Sequence, residues 1–484
     1  MKILILQLAR LGDIYMTWPV LQGLRRTYPT AEIHILTRPR FESALEGLQA
    51  VDRHWSLPSS HILTPLIQAE PDLEASLSHM DEFVTTLKSE QFDRIINFTF
   101  SPFSSYLTHA LSGANTVVNG YTRNADGSLC FTDDVSAYFY AQVGLDKPNR
   151  VHVADILASM VDVQYTEEDW GISTYQEASV TLPERYMVLH VGASDPQKAL
   201  GPDAWVRALK VTSQRYAHLP VVLIGSAAEA PLALQIESQV PDMTFVNLAG
   251  RTQVSELPAI IKKAEVLVGC DSAPIHIASL TDTPTLNVSV GPVNFWETGP
   301  KASLSFIYRR ESEAEVVAED LGAVLGDLLD GQVREGLIVR TGGLVSYARE
   351  EATAESFQWQ LVEALYMGGN FPIADRMEIL QGAMKLNDIN TFAMEQLALI
   401  PELGVAKVAP FLDSAEEVIN NISRMVPELS PLVSWYHAER IRIAPGSLEE
   451  IRTATLNVHE RFKRYLHVYI PHEALKEEAG NGAV

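Results

Sequence analysis

The feature that most constrains this chain is a grammar that it uses twice. Short, continuously apolar runs alternate with stretches of helical periodicity, first over residues 1–165 and again over 180–330. In the first stretch Ile3–Leu8, Glu32–Leu36, Arg94–Phe98 and Thr116–Asn119 read as strands, with helices at Met16–Thr27 and near Ser104–Leu111. In the second, Tyr186–His190, Val221–Ile224, Thr244–Asn247, Val266–Gly269 and Thr285–Val290 read as strands, with helices at Ala204–Arg215 and Val254–Ala264. A strand that is apolar on both faces belongs to a parallel sheet covered by helices on each side. The expected fold is therefore α/β, with two such domains in tandem.

After residue 335 strand signals fade. Helical patterns run through Ser356–Met367, Asp375–Met384, Thr391–Ile400, Ala415–Met425, Leu432–Ile443 and Leu448–Val468, punctuated by Pro372, Pro401, Pro410, Pro427 and Pro445-Gly446. We divide the chain into domains at 1–170, 171–334 and 335–484, the last all-α and either packing against the rest, mediating oligomers or recognising an acceptor. Residues Ala479–Val484 read as a frayed end.

Composition narrows the function. Thirty-seven Lys+Arg against 61 Asp+Glu leave a net charge of −24, which argues against a nucleic-acid binder. Two cysteines, Cys130 and Cys270, are too few for a disulfide framework or a four-thiolate metal site, so a reducing cytoplasm is the expectation. The first strand is interrupted by Gln7, Arg10 and Asp13 and lacks a small-residue cleavage site, so it does not read as a signal peptide. No apolar run approaches the roughly 20 residues that span a bilayer.

In α/β sheets ligands bind beyond the carboxyl ends of the strands, so the strand-to-helix turns matter most. The first turn, Leu8-Ala9-Arg10-Leu11-Gly12-Asp13-Ile14, carries a glycine that permits close approach and a carboxylate that on local grounds reads as an N-cap. No G-x-G-x-x-G, P-loop or H-E-x-x-H motif occurs in the chain. A second turn, Gly269-Cys270-Asp271-Ser272-Ala273-Pro274-Ile275-His276, follows a buried strand and opens a helix whose first N–H groups, with the Ser272 hydroxyl, suit phosphate oxygens. Asp271 is placed to accept from sugar hydroxyls, and His276 either joins the site or simply packs. The turn His190 to Lys198 brings a cation that suits a diphosphate or pairs with Asp195. Glu229 is either a ribose ligand or a solvated helix-start carboxylate. A further turn, Gly291-Pro292 through Thr298-Gly299-Pro300, borders the same crevice.

In this order the motifs resemble those of glycosyltransferase family 9, the bacterial heptosyltransferases, over roughly residues 1–330. Ile3 to Ile14 is similar to the opening strand and its Leu-Gly-Asp turn, and Gln91 to Asn97 to the middle strand. Asp271 to Ala278 is similar to the donor motif, with Ala273 where the family has Gly, and Gly291 to Pro300 to the closing loop. The resemblance implies two Rossmann-like domains facing across a cleft, and an inverting transferase that needs no metal or other cofactor. ADP-heptose would be its donor and a cell-envelope glycan such as the lipopolysaccharide core its acceptor. It implies Asp13 as general base and Lys198 as the cation steadying the leaving diphosphate. Donor contacts would come from Gly12, Ser194, Glu229, Thr252, Asp271, Ser272, Ala273, Pro274 and His276, and acceptor phosphates would meet Arg38 and Arg40. It also implies a cytoplasmic enzyme working at the inner face of the membrane. The open alternatives are another nucleotide sugar, a protein acceptor, or a non-catalytic scaffold of the same fold.

Overall fold

The computed structural model describes residues 1–193, 195–332, 346–347 and 353–470. Ser194 and the end segment Ala479–Val484, both singled out above, lie outside the described residues, as does the start of the expected helical region at 335. The chain divides into two compact units: residues 1–119 with 151–354, and residues 120–150 with 355–484.

The first unit contains two parallel sheets. In one, β1 (Lys2–Leu6), β2 (Glu32–Thr37), β3 (Arg53–Ser56) and β4 (Arg94–Asn97) lie in the order β3-β2-β1-β4. Chain order reverses between β1 and β4, which opens a crevice at their carboxyl ends. The strand β5 (Val117–Arg123) carries the chain out of this unit.

The second sheet has seven strands, all parallel. They are β7 (Met187–His190), β8 (Val221–Ile224), β9 (Phe245–Asn247), β10 (Val266–Cys270), β11 (Thr285–Val290), β12 (Ser305–Arg310) and β13 (Ser346–Tyr347), in the order β13-β12-β11-β10-β7-β8-β9. Its switch point falls between β7 and β10. Every residue of β7, β10 and β11 is buried, as the continuous apolar runs require of central parallel strands. One face packs Leu189, Val268, Val288 and Phe306 against Trp205 and Leu209 of the helix Pro202–Tyr216 and against Leu321, Val324 and Leu328 of the helix Ala318–Leu329. Strands β3, β12 and β13 escaped the sequence reading because they are short or carry charge. Arg309 and Arg310 close β12, yet Arg309 is buried because its guanidinium donates to the carbonyls of Gly291 and Arg310, both at 2.8 Å.

His152 shows how burial sets the acid stability of this unit. Its Nδ1 accepts from the Ala154 N–H (3.2 Å), so the proton sits on Nε2 and is donated to the Gly299 carbonyl (3.1 Å). Burial, reinforced by the nearby Lys301 ammonium and opposed by Asp155, pushes its pKa down to about 3. The folded pKa lies below the unfolded value of about 6.5, so this contribution to stability is full above pH 6.5 and fades as pH falls toward 3. Urea melts between pH 7.5 and 5 should show His152→Asn less stable than the parent at the upper end and with a shallower loss on acidification. Parallel acid slopes in the two proteins would refute that assignment.

The second unit is mainly helical. Its longer helices are Asp134–Gln142, Phe357–Tyr366, Met377–Ala398, Val405–Met425, Ser430–Ile441 and Leu448–Leu466, with an antiparallel hairpin of β5 and β6 (Leu129–Phe131). Leu361, Leu386, Ile419, Leu432, Trp435 and Phe462 form its core. The 120–150 segment is fastened to it by Tyr138 against Tyr366 (ring centroids 5.0 Å), by Gln142 Nε2 donating to the Pro431 carbonyl (3.0 Å) and by Lys147 Nζ on Ser434 Oγ (3.1 Å). The unit is thus neither wholly C-terminal nor wholly helical. The two helices expected at Asp375–Met384 and Thr391–Ile400 are one, since the intervening Lys385–Asn390 contains neither Pro nor Gly. Pro410, expected to punctuate, lies inside the helix Val405–Met425.

Candidate active site

Each sheet delivers its chemistry from its switch point. After β1 the helix Leu11–Thr27 begins earlier than the sequence suggested. Arg10 occupies the N-cap position, so Asp13 is not the N-cap but the third helical residue. Its Oδ2 accepts from the Arg10 N–H at 2.8 Å, closing the helix start while leaving Oδ1 uncommitted by that bond. Arg38, at the end of β2, donates from Nη2 to the Ala9 carbonyl (3.0 Å), and its guanidinium lies 4.8 Å from the centre of the Phe41 ring. Arg40 approaches the same ring at 5.6 Å and is exposed. Arg38 therefore borders the turn that carries Asp13, whereas the contact of Arg40 is to Phe41.

At the second switch point Asp271 follows the end of β10, and Ser272 takes the N-cap position of the helix Ala273–Thr281. Pro274 stands in its first turn, where no intrahelical N–H bond is lost. The Ser272 hydroxyl does not cap the helix. It donates to the Cys270 carbonyl (2.9 Å) and lies 3.0 Å from His190 Nδ1 at the end of β7. The Asp271 carboxylate, 8% exposed, has two partners: Thr298 Oγ1 donates to Oδ1 at 2.9 Å, and Lys198 Nζ stands 3.4 Å from Oδ2. Lys198 therefore does not pair with Asp195, whose own carboxylate caps the 3₁₀ turn Pro196–Lys198 by accepting from the Gln197 N–H (3.0 Å).

The two switch points meet at Gly12 and His276. A Cβ on Gly12 would stand 2.8 Å from His276 Cδ2 and 3.2 Å from Nε2, so the first turn docks directly on the imidazole. The ring is buried, and burial lowers its pKa. The Asp271 and Asp13 carboxylates act against that, and Lys198 adds to it. One neutral imidazole thus lies within electrostatic reach of both carboxylates and the ammonium.

Glu229 is neither free nor simply solvated. Its Oε2 accepts from the Ser226 N–H (2.6 Å), and its carboxylate lies where a side chain on Gly192 would be, Oε1 only 1.8 Å from such a Cβ. Thr252 follows Gly250, whose φ of +72° and tight seat against Ala227 Cα (2.8 Å from a would-be Cβ) demand glycine. Gly291, with φ +68°, is similarly pressed against the Gln197 carbonyl, which fixes the closing loop beside Lys198.

Sequence reasoning gave His190 and Thr298 no role. The only signal for Thr298 was its position in a turn bordering the crevice. Thr298→Val should free one Asp271 oxygen and reduce kcat/KM for the donor by about tenfold, the worth of one charge-assisted hydrogen bond. Thr298→Ser should restore it, and equal kinetics in all three proteins would remove Thr298 from the site. Among the described residues no group of three His, Cys, Asp or Glu side chains comes together as a metal-ligand set.

Two Rossmann-like sheets of parallel strands, each presenting charged turns at its switch point, are an architecture shared by glycosyltransferases built from paired nucleotide-binding folds. Residues 80–315 match the model for Glycosyltransferase family 9 (heptosyltransferase). The chain is 21% identical over 281 residues to lipopolysaccharide heptosyltransferase 3 of Escherichia coli K12, covering 57% of this chain and 79% of that one. To lipopolysaccharide heptosyltransferase 1 of Campylobacter coli it is 24% identical over 300 residues, covering 60% and 83%. In fold it is similar to the family 9 glycosyl transferase of Veillonella parvula, with TM-score 0.51 and 15% identity over 68% of this chain and 97% of that one. It is likewise similar to the E. coli heptosyltransferase WaaC with ADP, with TM-score 0.50 and 14% identity over 68% and 100%. The chain is a glycosyltransferase with an additional helical unit.

Proposed function

We propose that the protein transfers a heptose from ADP-heptose to a hydroxyl of a lipopolysaccharide-core glycan, with inversion at the anomeric carbon and without a metal ion. The observation that carries this reading is the meeting of Asp13 with the Asp271–Lys198 pair around His276. Asp13 takes the proton from the acceptor hydroxyl as its oxygen forms the new bond to the anomeric carbon. The bond from that carbon to the diphosphate breaks on the opposite face, and the electron pair leaves with ADP. Lys198 and the first-turn N–H groups of the helix Ala273–Thr281 receive the charge. Donor entry requires Lys198 to shift part of its charge from Asp271 to phosphate, and Asp271 is then free to take sugar hydroxyls. Arg38 and Arg40 would meet phosphates on the acceptor. The names of the relatives support both the sugar and the glycan class.

No described helix is long and apolar enough to cross a membrane. With a net charge of −24, approach to an anionic lipid surface would rest on local cations such as Arg38 and Arg40. The direct test is ADP release from ADP-heptose in the presence of deacylated core oligosaccharide, with the product anomer read by NMR. An inverted product formed equally in EDTA is expected. Retention, loss in EDTA, or turnover only with a UDP-sugar would overturn the corresponding part of the proposal.

A further inference from the structure

The helical unit contains a cleft of its own, about 600 Å³, within the range of small-ligand sites. All of its lining belongs to residues of that unit, from both the 120–150 segment and the later helices. One wall is Tyr140, 41% exposed, yet braced from behind by Phe131 and Tyr121 with ring centroids 4.9 and 5.9 Å away. An aromatic face held open to solvent and kept from turning inward is a platform for apolar C–H surface.

The polar part of the lining is already internally paired. Arg440 Nη1 donates to Glu416 Oε2 (2.6 Å), and His437 Nε2 meets Asn420 Oδ1 (2.8 Å). Asp126 accepts from the Ser128 hydroxyl at 2.6 Å. These planar groups are fixed in place by their mutual bonds, while Glu416 and Arg440 remain 38% and 32% exposed. The Asn420 NH₂ group is uncommitted among the described residues.

Charge then selects among ligands. Among the described residues the only guanidinium lining the cleft is neutralised by Glu416, and Asp126 adds a further negative charge, so a phosphate or carboxylate ligand meets no free cation among them. A purely apolar ligand would strand the polar lining. A ring with C–H groups on one face and hydroxyls around its edge suits both parts of the lining. We infer that this cleft is a binding site for a neutral saccharide, separate from the transferase crevice. The inference does not rest on the heptosyl-transfer reading.

Saturation-transfer NMR on the full chain tests it, with neutral trisaccharides of glucose, galactose, mannose and N-acetylglucosamine as probes and trigalacturonate as the charged comparator. At least one neutral trisaccharide should bind, with contact concentrated on ring C–H protons, and saturating ADP should leave the signal in place. Tyr140→Ala and Asn420→Ala should each weaken that binding by about tenfold or more, the cost expected for removing a pocket's anchoring group. Tyr140→Phe, which keeps the ring, should retain it. ADP titrations and thermal melts that match the parent protein would establish that the variants are folded. The site is overturned if none of the neutral probes binds. It is equally overturned if binding survives both truncations, if ADP or Asp271→Asn abolishes it, or if only the charged comparator binds.

Discussion

Asp13→Asn should lower kcat by about 10²- to 10⁴-fold, the range supplied by a positioned general base, while ADP affinity and the melting temperature stay at the parent values. The amide is the informative replacement because of the second task the carboxylate performs. Asp13 accepts from the Arg10 N–H, and the Asn oxygen can keep that bond and with it the start of the helix Leu11–Thr27. Asp13→Ala would remove both the base and the cap, and a capping loss alone costs about 1 kcal/mol. Single-turnover rates with ADP-heptose, set beside ADP titrations, separate the two effects. A fully active Asp13→Asn protein would rule the residue out as the base and leave it a cap.

The second large effect is expected at Lys198. Lys198→Met removes the ammonium proposed to receive the leaving diphosphate, and kcat/KM should fall by about 10²- to 10³-fold, as for other preorganised charge-stabilising groups. It also leaves Asp271, 8% exposed, with Thr298 as its remaining partner, so part of the loss would arise from a buried carboxylate without its counter-ion. The double variant Lys198→Met/Asp271→Asn apportions the two. If the pair acts as a unit, the double variant should be no worse than the worse single variant. Calorimetric ADP titrations should weaken in Lys198→Met. Unchanged ADP affinity and unchanged kcat/KM together would place Lys198 outside the site.

How much of this was legible in the sequence follows from which signals are local. The central strands could be read because strands buried on both faces must be apolar throughout, and β8 and β11 fall at the expected residues. Edge strands such as β3, with Arg53 and His54 exposed, carry no such signature. The turns bearing Asp13, Lys198 and Asp271 were legible as turns. Their partners were not, because hydrogen bonding between residues far apart in the chain leaves no mark on spacing. Lys198 reaches Asp271, 73 residues on, in preference to Asp195 three residues away, and His190 finds Ser272, 82 residues distant. The helix start at Leu11 was missed because Arg10 is an unusual N-cap and Asp13 looked like the better one.

The joining of residues 120–150 to residues 355–484 imposes an order on synthesis. The hairpin and the helix Asp134–Gln142 leave the ribosome well before the helices that complete their core, and Tyr138 must wait for Tyr366. Throughout that interval the growing chain carries an unfinished apolar surface, the kind that recruits chaperones or other chains. A gene cut after residue 335 would leave Tyr138 without Tyr366, and a fragment beginning at 355 would lack the segment that Tyr138, Gln142 and Lys147 fasten to it. The helical unit is thus assembled from two stretches of chain, and neither stretch alone carries all of it.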